Sequence, residues 1–189
     1  MQLEHVEPVL EGNFLNRVNL HYRTALGNEK VYEAISRHKN MTPESVSEMQ
    51  PESIVIVAFN EDMSKVCVNH EFRLSVNRHV YNFPAGFIDE GEDAGTAAIR
   101  ELKEETNLDV KHIIKVLPPV YNSIGFSNES SHLVFCIANG EPIDTKEELE
   151  EIVPQWITRA EAKKICEEVC TARTQLFLYL WANGMEVLS

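Results

Sequence analysis

The amino-acid sequence predicts an α+β fold, in which a mixed β-sheet lies between helices and a small antiparallel β-unit precedes it. Three observations carry this prediction. An unbroken, largely β-branched run at 53–59 is typical of a strand buried on both faces. Residues 93–106 are rich in good helix formers. Hydrophobic residues make up 43% of the 189-residue chain, which is enough for a packed core.

The β-unit is predicted at the N-terminus, where residues 13–37 contain two loosely alternating arms. Gly27 and Asn28 lie between the arms and form a turn signal, so we expect an antiparallel hairpin. A polar segment with two prolines then indicates a connector. The predicted domains are therefore 1–45 for the β-unit and 46–189 for the main domain.

The main domain alternates strands and helices after its buried first strand. Alternating or β-branched patterns predict further strands at 65–72, 110–116, 131–138 and 155–157. Thr158 is expected to cap a helix, because Glu161 three residues later completes a capping box. A last helix is expected over 174–182.

The charge balance restricts the classes of partner. Asp and Glu exceed Lys and Arg by 30 to 17, and the formal net charge is −13. Nucleic acids and anionic membranes reward positive protein surface, so neither is an expected partner. An anionic phosphate substrate would need a divalent metal to supply positive charge. The four cysteines form no CxxC pair and no signal peptide is visible, which favours a reducing cytoplasm.

A fixed spacing of glycine, arginine and acidic residues marks the segment 86–108. A glycine is followed after five residues by a glutamate, and after seven more by the run Arg-Glu-Leu-Lys-Glu-Glu. This pattern resembles the Nudix box, and a chance match is on the order of 10⁻⁷ per starting position. The residues that fit the box are Gly86, Glu92, Arg100, Glu101, Leu102, Glu104, Glu105 and Leu108.

The acidic residues of this segment have a physical reason to bind a cation. Glu101, Glu104 and Glu105 are three or four residues apart, which places them near one face of the predicted helix. Two such carboxylates repel each other by roughly 1 kcal/mol in water and more in a partly dry site. Oxygen ligands favour Mg²⁺, with Mn²⁺ as the alternative. A solvated acidic helix face is the competing interpretation.

The segment departs from the box at its last glycine, which is Asn107 here. That position follows the helix, where a left-handed backbone is commonly needed. Asparagine is the next-best residue for this conformation, so we expect the helix to end there as in the family.

The flanking segments resemble the ADP-ribose pyrophosphatase branch of the Nudix hydrolases, also called ADP-sugar diphosphatases. Glu-Phe-Arg at 71–73 precedes Phe-Pro-Ala-Gly at 83–86, a Ser-containing loop spans 121–129, and an acidic segment covers 147–152. The branch has proline in that loop where this chain has Ile124, and the proline is a marker of substrate class.

The resemblance implies roles for particular residues. The carbonyl of Ala85, with Glu101 and Glu105, would hold divalent metals, and Glu104 would bind a metal or orient water. The general base would come from the acidic loop, where Glu150 and then Glu148 are favoured and Glu147 and Glu151 remain open. Substrate contacts are expected from Arg73, Glu71, Glu129 and Gly125. A structural salt bridge for Arg73 and a turn-capping role for Glu129 are the alternatives.

The resemblance also implies the Nudix α/β/α sandwich and a homodimer paired through the N-terminal β-unit, which helps to form the substrate pocket. The expected activity is metal-dependent hydrolysis of a nucleoside diphosphate-sugar, with ADP-ribose giving AMP and ribose 5-phosphate. Other nucleotide-sugars such as GDP-mannose, and oxidised nucleoside triphosphates, are alternative substrates. A catalytically inactive Nudix domain that senses a nucleotide-sugar is the alternative of a different class.

Overall fold

The computed structural model describes residues 1–144 and 151–185. They belong to two compact units, of which the first comprises 1–52 and 118–132. The second begins at 53, runs to 117 and resumes at 133.

The first unit contains a three-stranded antiparallel sheet in the order β1-β2-β3. Its elements are β1 (Gln2–Glu11), β2 (Asn16–Arg23), β3 (Glu29–Ser36) and the short helix α1 (Pro43–Ser47). The pairing of β2 with β3 confirms the predicted hairpin. Strand β1 was not predicted, because Val6 is its one buried side chain and apolar alternation is therefore weak.

The larger sheet has eight strands among the described residues. They are β4 (Ser53–Phe59), β5 (Lys65–Arg73), β6 (Arg78–Asn82), β7 (Ala85–Phe87), β8 (Asp109–Val116), β9 (Val120–Tyr121), β10 (Ser130–Asn139) and β11 (Ile152–Thr158). The order is β11-β5-β4-β10-β8, while β6 pairs with β5, β7 with β4 and β9 with β10. Every strand predicted in the main domain is present, with bounds that differ by a few residues.

Helices cover both faces of this sheet within the second unit. They are α2 (Ala94–Thr106), α3 (Arg159–Ile165) and α4 (Ala172–Ala182). Alternate residues of β4 point to opposite faces. Ile54 and Ile56 pack in the cluster that contains Leu102 of α2, whereas Val55 packs in the cluster that contains Trp181 of α4. The mixed sheet with flanking helices confirms the predicted α/β/α sandwich.

Caps at both ends fix the position of α2. The Asp93 side chain accepts a hydrogen bond from the backbone N–H of Thr96 at 2.8 Å. Asn107 ends the helix in the left-handed region at φ 60°, as its place in the sequence predicts. Thr158 and Glu161 form the expected capping box on α3.

None of the helices in 1–144 and 151–185 is long and apolar enough to cross a membrane.

Candidate active site

Arg100 ties α2 to the loop that precedes it. Its guanidinium donates to both carboxylate oxygens of Glu92, at 3.1 and 2.8 Å, and to the carbonyl of Phe87 at 2.9 Å. It also donates to Glu101 at 2.8 Å and to Glu104 at 3.2 Å. Hydrogen bonding from Arg100 holds the pKa of Glu92 below its usual value. The arginine therefore fixes the shape of the loop and two of the helix carboxylates.

Gly86 lies directly against the Glu101 carboxylate. A Cβ built at Gly86 would stand 1.9 to 2.3 Å from the three carboxyl atoms of Glu101, a distance that real Cβ atoms do not reach. A side chain at this position would therefore displace Glu101. This contact gives the first glycine of the motif a steric reason.

Glu105 is a buried carboxylate with two hydrogen-bond donors. Its Oε2 accepts from the Asn69 amide at 2.8 Å and from the Ala85 backbone N–H at 3.2 Å. Burial raises the pKa of Glu105 well above its usual value, and the neighbouring carboxylates of Glu71 and Glu101 raise it further. The ionised form of Glu105 is therefore unfavourable in this cluster unless a positive charge is nearby.

Glu71 is a second buried acid on the adjoining strand. The residue is 4% exposed, and its Oε1 accepts a hydrogen bond from the Asn82 amide at 3.0 Å. The guanidinium of Arg73 lies 3.6 Å from the same oxygen and is more than half exposed. The structure therefore brings Glu71, Arg73 and Glu105 together on the second unit.

The other predicted site residues are distributed differently. Glu104 is half exposed, and Leu102 and Leu108 are fully buried core residues. Gly125 and Glu129 belong to the first unit. There the carbonyl of Gly125 accepts from the Tyr32 hydroxyl, and Glu129 pairs with Arg37 at 3.2 Å.

The predicted general base lies in the acidic loop. Glu147, Glu148 and Glu150 lie outside the described residues. Of the four acids considered, Glu151 is described, and its carboxylate stands 3.5 Å from His79.

Two polar residues of the site, Asn69 and Asn82, were missed in the sequence. Both are almost completely buried and each binds a site carboxylate. Asn69 stands two residues before Glu71 in β5, so the two side chains share a face of the sheet. The polar pair at 69 and 71, which lies two residues apart on a predicted strand, was the signal that could have identified it.

The donor chemistry of this cluster fits a hard divalent cation. The described residues hold no group of three or more His, Cys, Asp or Glu side chains arranged to bind a metal ion, and Arg100 pairs with oxygens of Glu101 and Glu104. The acids nevertheless offer oxygen donors alone, and Glu105 is buried beside two like charges. The Oδ1 atom of Asn69 is also buried and has no hydrogen-bond partner in the described part of the chain. A hydrated cation would supply positive charge beside Glu105, and one of its water molecules could donate a hydrogen bond to Asn69 Oδ1.

The sandwich and its carboxylate-bearing helix define the class of protein. The NUDIX domain family matches residues 49–173, which is well over half of the chain. The chain therefore belongs to the Nudix hydrolase family, which confirms the resemblance seen in the motif. A solved structure described as an ADP compounds hydrolase has a TM-score of 0.73 over 97% of both chains at 21% identity, and it supports the fold.

Three relatives of similar sequence are described as pyrophosphatases of ADP-ribose or of ADP-sugars. The ADP-ribose pyrophosphatase of Saccharomyces cerevisiae is 31% identical over 136 residues, covering 71% of this chain and 57% of its own length. That of Bacillus subtilis is 31% identical over 129 residues, covering 66% and 68%. The ADP-sugar pyrophosphatase of Mus musculus is 29% identical over 139 residues, covering 71% and 60%. The matches thus span about three-fifths to two-thirds of the length of these relatives.

Proposed function

We propose that this protein hydrolyses the diphosphate bond of a nucleoside diphosphate-sugar, with ADP-ribose as the substrate that gives AMP and ribose 5-phosphate. The observation that carries the proposal is the convergence of Glu71, Glu101 and Glu105 at the Nudix-box helix. The names of the yeast and Bacillus relatives support ADP-ribose as the substrate.

The chain's own residues divide the work. Glu101 and Glu105, with the carbonyl of Ala85, would hold Mg²⁺ or Mn²⁺, while Glu104 would bind a metal or orient water. Nudix hydrolases generally use such divalent metals. When bound, the cation polarises the diphosphate and lowers the pKa of an attacking water.

Substrate positioning is assigned to Arg73, Glu71, Gly125 and Glu129. Arg73 presents an exposed guanidinium next to buried Glu71, and it would contact a phosphate. Gly125 and Glu129 would contact the remainder of the substrate. One acid of the loop would serve as the general base that accepts the proton of the water. Glu150 is the first candidate and Glu148 is the second.

The N-terminal β-unit, residues 1–45, is proposed to pair two subunits and to contribute to the substrate pocket. Exposed apolar side chains on β1, on β3 and in the turn between β1 and β2 support this assignment, because exposed apolar surface is typical of protein–protein contacts. These side chains are Val9, Leu10, Phe14, Leu15, Val31 and Tyr32. The remaining residues, 46–189, would form the hydrolase domain.

The state of the cysteines supports a cytoplasmic location for the protein. All four are free thiols, and Cys67, Cys136 and Cys166 are buried. Thiols persist where the environment is reducing, so the proposed location is the cytoplasm.

Ile124 keeps a second substrate class open. It is 77% exposed and stands where the family branch has a proline that marks substrate class. Other nucleotide-sugars such as GDP-mannose, and oxidised nucleoside triphosphates, are therefore included as alternatives. A nucleotide-sugar sensor without activity is the remaining alternative, although the acids of the cluster are all retained.

A substrate panel tests the proposal. The purified protein is incubated with Mg²⁺ and ADP-ribose, GDP-mannose or an oxidised nucleoside triphosphate, and products are separated by chromatography. We expect AMP and ribose 5-phosphate from ADP-ribose, with no turnover when EDTA replaces Mg²⁺. Preference for another compound would reassign the substrate, and inactivity on every compound would favour the sensor.

A further inference from the structure

Two buried asparagines face each other across the hairpin of β5 and β6. Asn69 and Asn82 are register partners in this antiparallel pair. Asn69 is completely buried and Asn82 is 5% exposed. Burying an amide group costs free energy that its hydrogen bonds offset, so the bonds that the two Nδ2 atoms make bear on why these residues are here.

Each amide binds one of the two buried carboxylates. The Nδ2 of Asn69 donates to Glu105 at 2.8 Å, and the Nδ2 of Asn82 donates to Glu71 at 3.0 Å. Glutamate has three rotatable side-chain bonds, so a free carboxylate samples many orientations. A neutral donor at a fixed place restricts that sampling without adding a positive charge that would compete with a cation.

The hairpin itself is anchored to the start of α4. The Oδ1 of Asn82 accepts from the hydroxyl groups of Thr171 at 2.9 Å and Thr174 at 3.2 Å. The Thr174 hydroxyl in turn accepts from the Phe83 backbone N–H at 3.2 Å. Asn82 is thereby locked, and its register partner Asn69 is held on the same rigid hairpin.

We propose that Asn69 is a positioning residue of the active site, which holds the Glu105 carboxylate in the orientation that binds the divalent cation. The inference rests on the proposed function, since it concerns a carboxylate assigned to the cation there. Asn82 fixes the hairpin against the start of α4, and its own amide holds the Glu71 carboxylate. Groups that orient the ligands of a metal typically change its affinity tenfold or more when removed.

The test measures binding of Mn²⁺ alone, read from the electron paramagnetic resonance signal of the free ion. Asn69→Leu keeps the branched shape of the side chain, whereas Asn69→Ala leaves a cavity, so an effect common to both belongs to the lost amide. We expect each variant to bind Mn²⁺ about tenfold more weakly than the wild type.

A double-mutant comparison separates positioning from general structural damage. Asn69→Leu is also made in a Glu105→Gln background, where the carboxylate that Asn69 holds is gone. The expected additional loss of Mn²⁺ affinity there is below about twofold. Asn16→Leu is the matched control, because Asn16 is another buried asparagine whose amide donates to backbone carbonyls outside the Nudix match. We expect it to lower thermal stability and leave Mn²⁺ affinity unchanged.

The outcomes distinguish the two levels of the proposal. Wild-type Mn²⁺ affinity in both Asn69 variants, or an equal loss in the two backgrounds, would overturn the positioning role even if ADP-ribose is hydrolysed. The expected losses without turnover of any diphosphate would retain the positioning role and reject the proposed function. A wild-type protein that binds no Mn²⁺ would overturn both.

Discussion

At the scale of single residues, the site depends on close contacts between a glycine, an arginine and the helix carboxylates. Gly86 leaves room for Glu101, and Arg100 joins that acid to Glu92 and Glu104. The spacing of the motif thus has a steric and an electrostatic cause. Exchanging one of these residues should affect the cation site before it affects the fold.

Gly86→Ala is expected to lower kcat/KM for ADP-ribose by about 100-fold, because the added Cβ displaces the Glu101 carboxylate. Circular dichroism should show a folded protein, since the obstructing atoms are the end of a flexible side chain. Gly95→Ala is the control, because its Cβ would meet one atom of Asp93 at 3.3 Å and no carboxylate of the site. Equal activity of Gly86→Ala and wild type would contradict the role of this contact.

The closeness of Glu101, Glu104 and Glu105 could be predicted from the sequence because one helix fixes their spacing. The donors Asn69 and Asn82 were not predicted, since they come from a hairpin more than 20 residues upstream of Glu105. The pairing of Arg100 with Glu92 was also missed, as it depends on the path of the loop between them. Contacts within a helix follow from periodicity, whereas contacts between elements require the fold.

At the scale of elements, the end of α2 determines where the acidic face stops. Asn107 adopts φ 60°, and Lys103 donates to its carbonyl at 3.1 Å. Among residues that carry a Cβ, asparagine tolerates the left-handed conformation better than most. Glycine, which has no Cβ, adopts it without steric cost. The departure from the family glycine therefore retains the helix end.

Replacement of Asn107 tests this interpretation. Asn107→Ala should lower the free energy of unfolding by about 1 kcal/mol, because alanine is strained at positive φ. Asn107→Gly should leave it equal or higher. Urea denaturation measures both, and a stability order with alanine above glycine would contradict the left-handed cap.

The N-terminal sheet contains a histidine that links its outer strands. His21 on β2 contacts Glu29 on β3 at 3.1 Å and Glu7 on β1 at 3.2 Å. Hydrogen bonds with Glu29 and then Glu7 raise the pKa of His21 above its usual value. A raised pKa means that the folded state binds the proton more tightly, so the stabilisation is complete below about pH 6.5. It is lost as the pH rises through the folded-state pKa.

His21→Gln should remove this pH dependence. The difference in unfolding free energy between wild type and variant is expected to favour the wild type at pH 6 and to shrink by pH 9. Urea denaturation across this range, combined with a nuclear magnetic resonance titration of the ring, gives the comparison. A difference that grows with pH would show the opposite sign and reject the linkage.

At the scale of the whole molecule, the fold class could be predicted because β4 is apolar from Ile54 to Phe59 and α3 begins with a capping box. Strand β1 could not, because its one buried valine lies among largely exposed residues whose apolar members do not alternate. The net charge of −13 also bears on function at this scale. An acidic chain that acts on a diphosphate would need a cation at its site, and we propose that the carboxylate cluster binds it.

Assembly is the second property of the whole molecule. Multi-angle light scattering at micromolar concentration is expected to give twice the 21.5 kDa mass of the chain. Phe14→Asp, at a 79% exposed position in the turn after β1, should give the monomer. Leu176→Asp, at a 61% exposed position of α4, should leave the dimer intact. A monomeric wild type would reject pairing through the N-terminal unit.

The central claim is that Glu105 belongs to a cation site that cleaves a diphosphate. Glu105→Gln keeps the shape of the side chain and removes its negative charge, and the measurement is ADP-ribose turnover with saturating Mg²⁺. We predict a loss of kcat by several orders of magnitude, on the scale of removing an electrostatic contribution of about 4 kcal/mol or more. The thermal unfolding temperature should not fall, because the substitution removes a buried charge beside Glu71 and Glu101. Turnover near the wild-type rate would contradict the account.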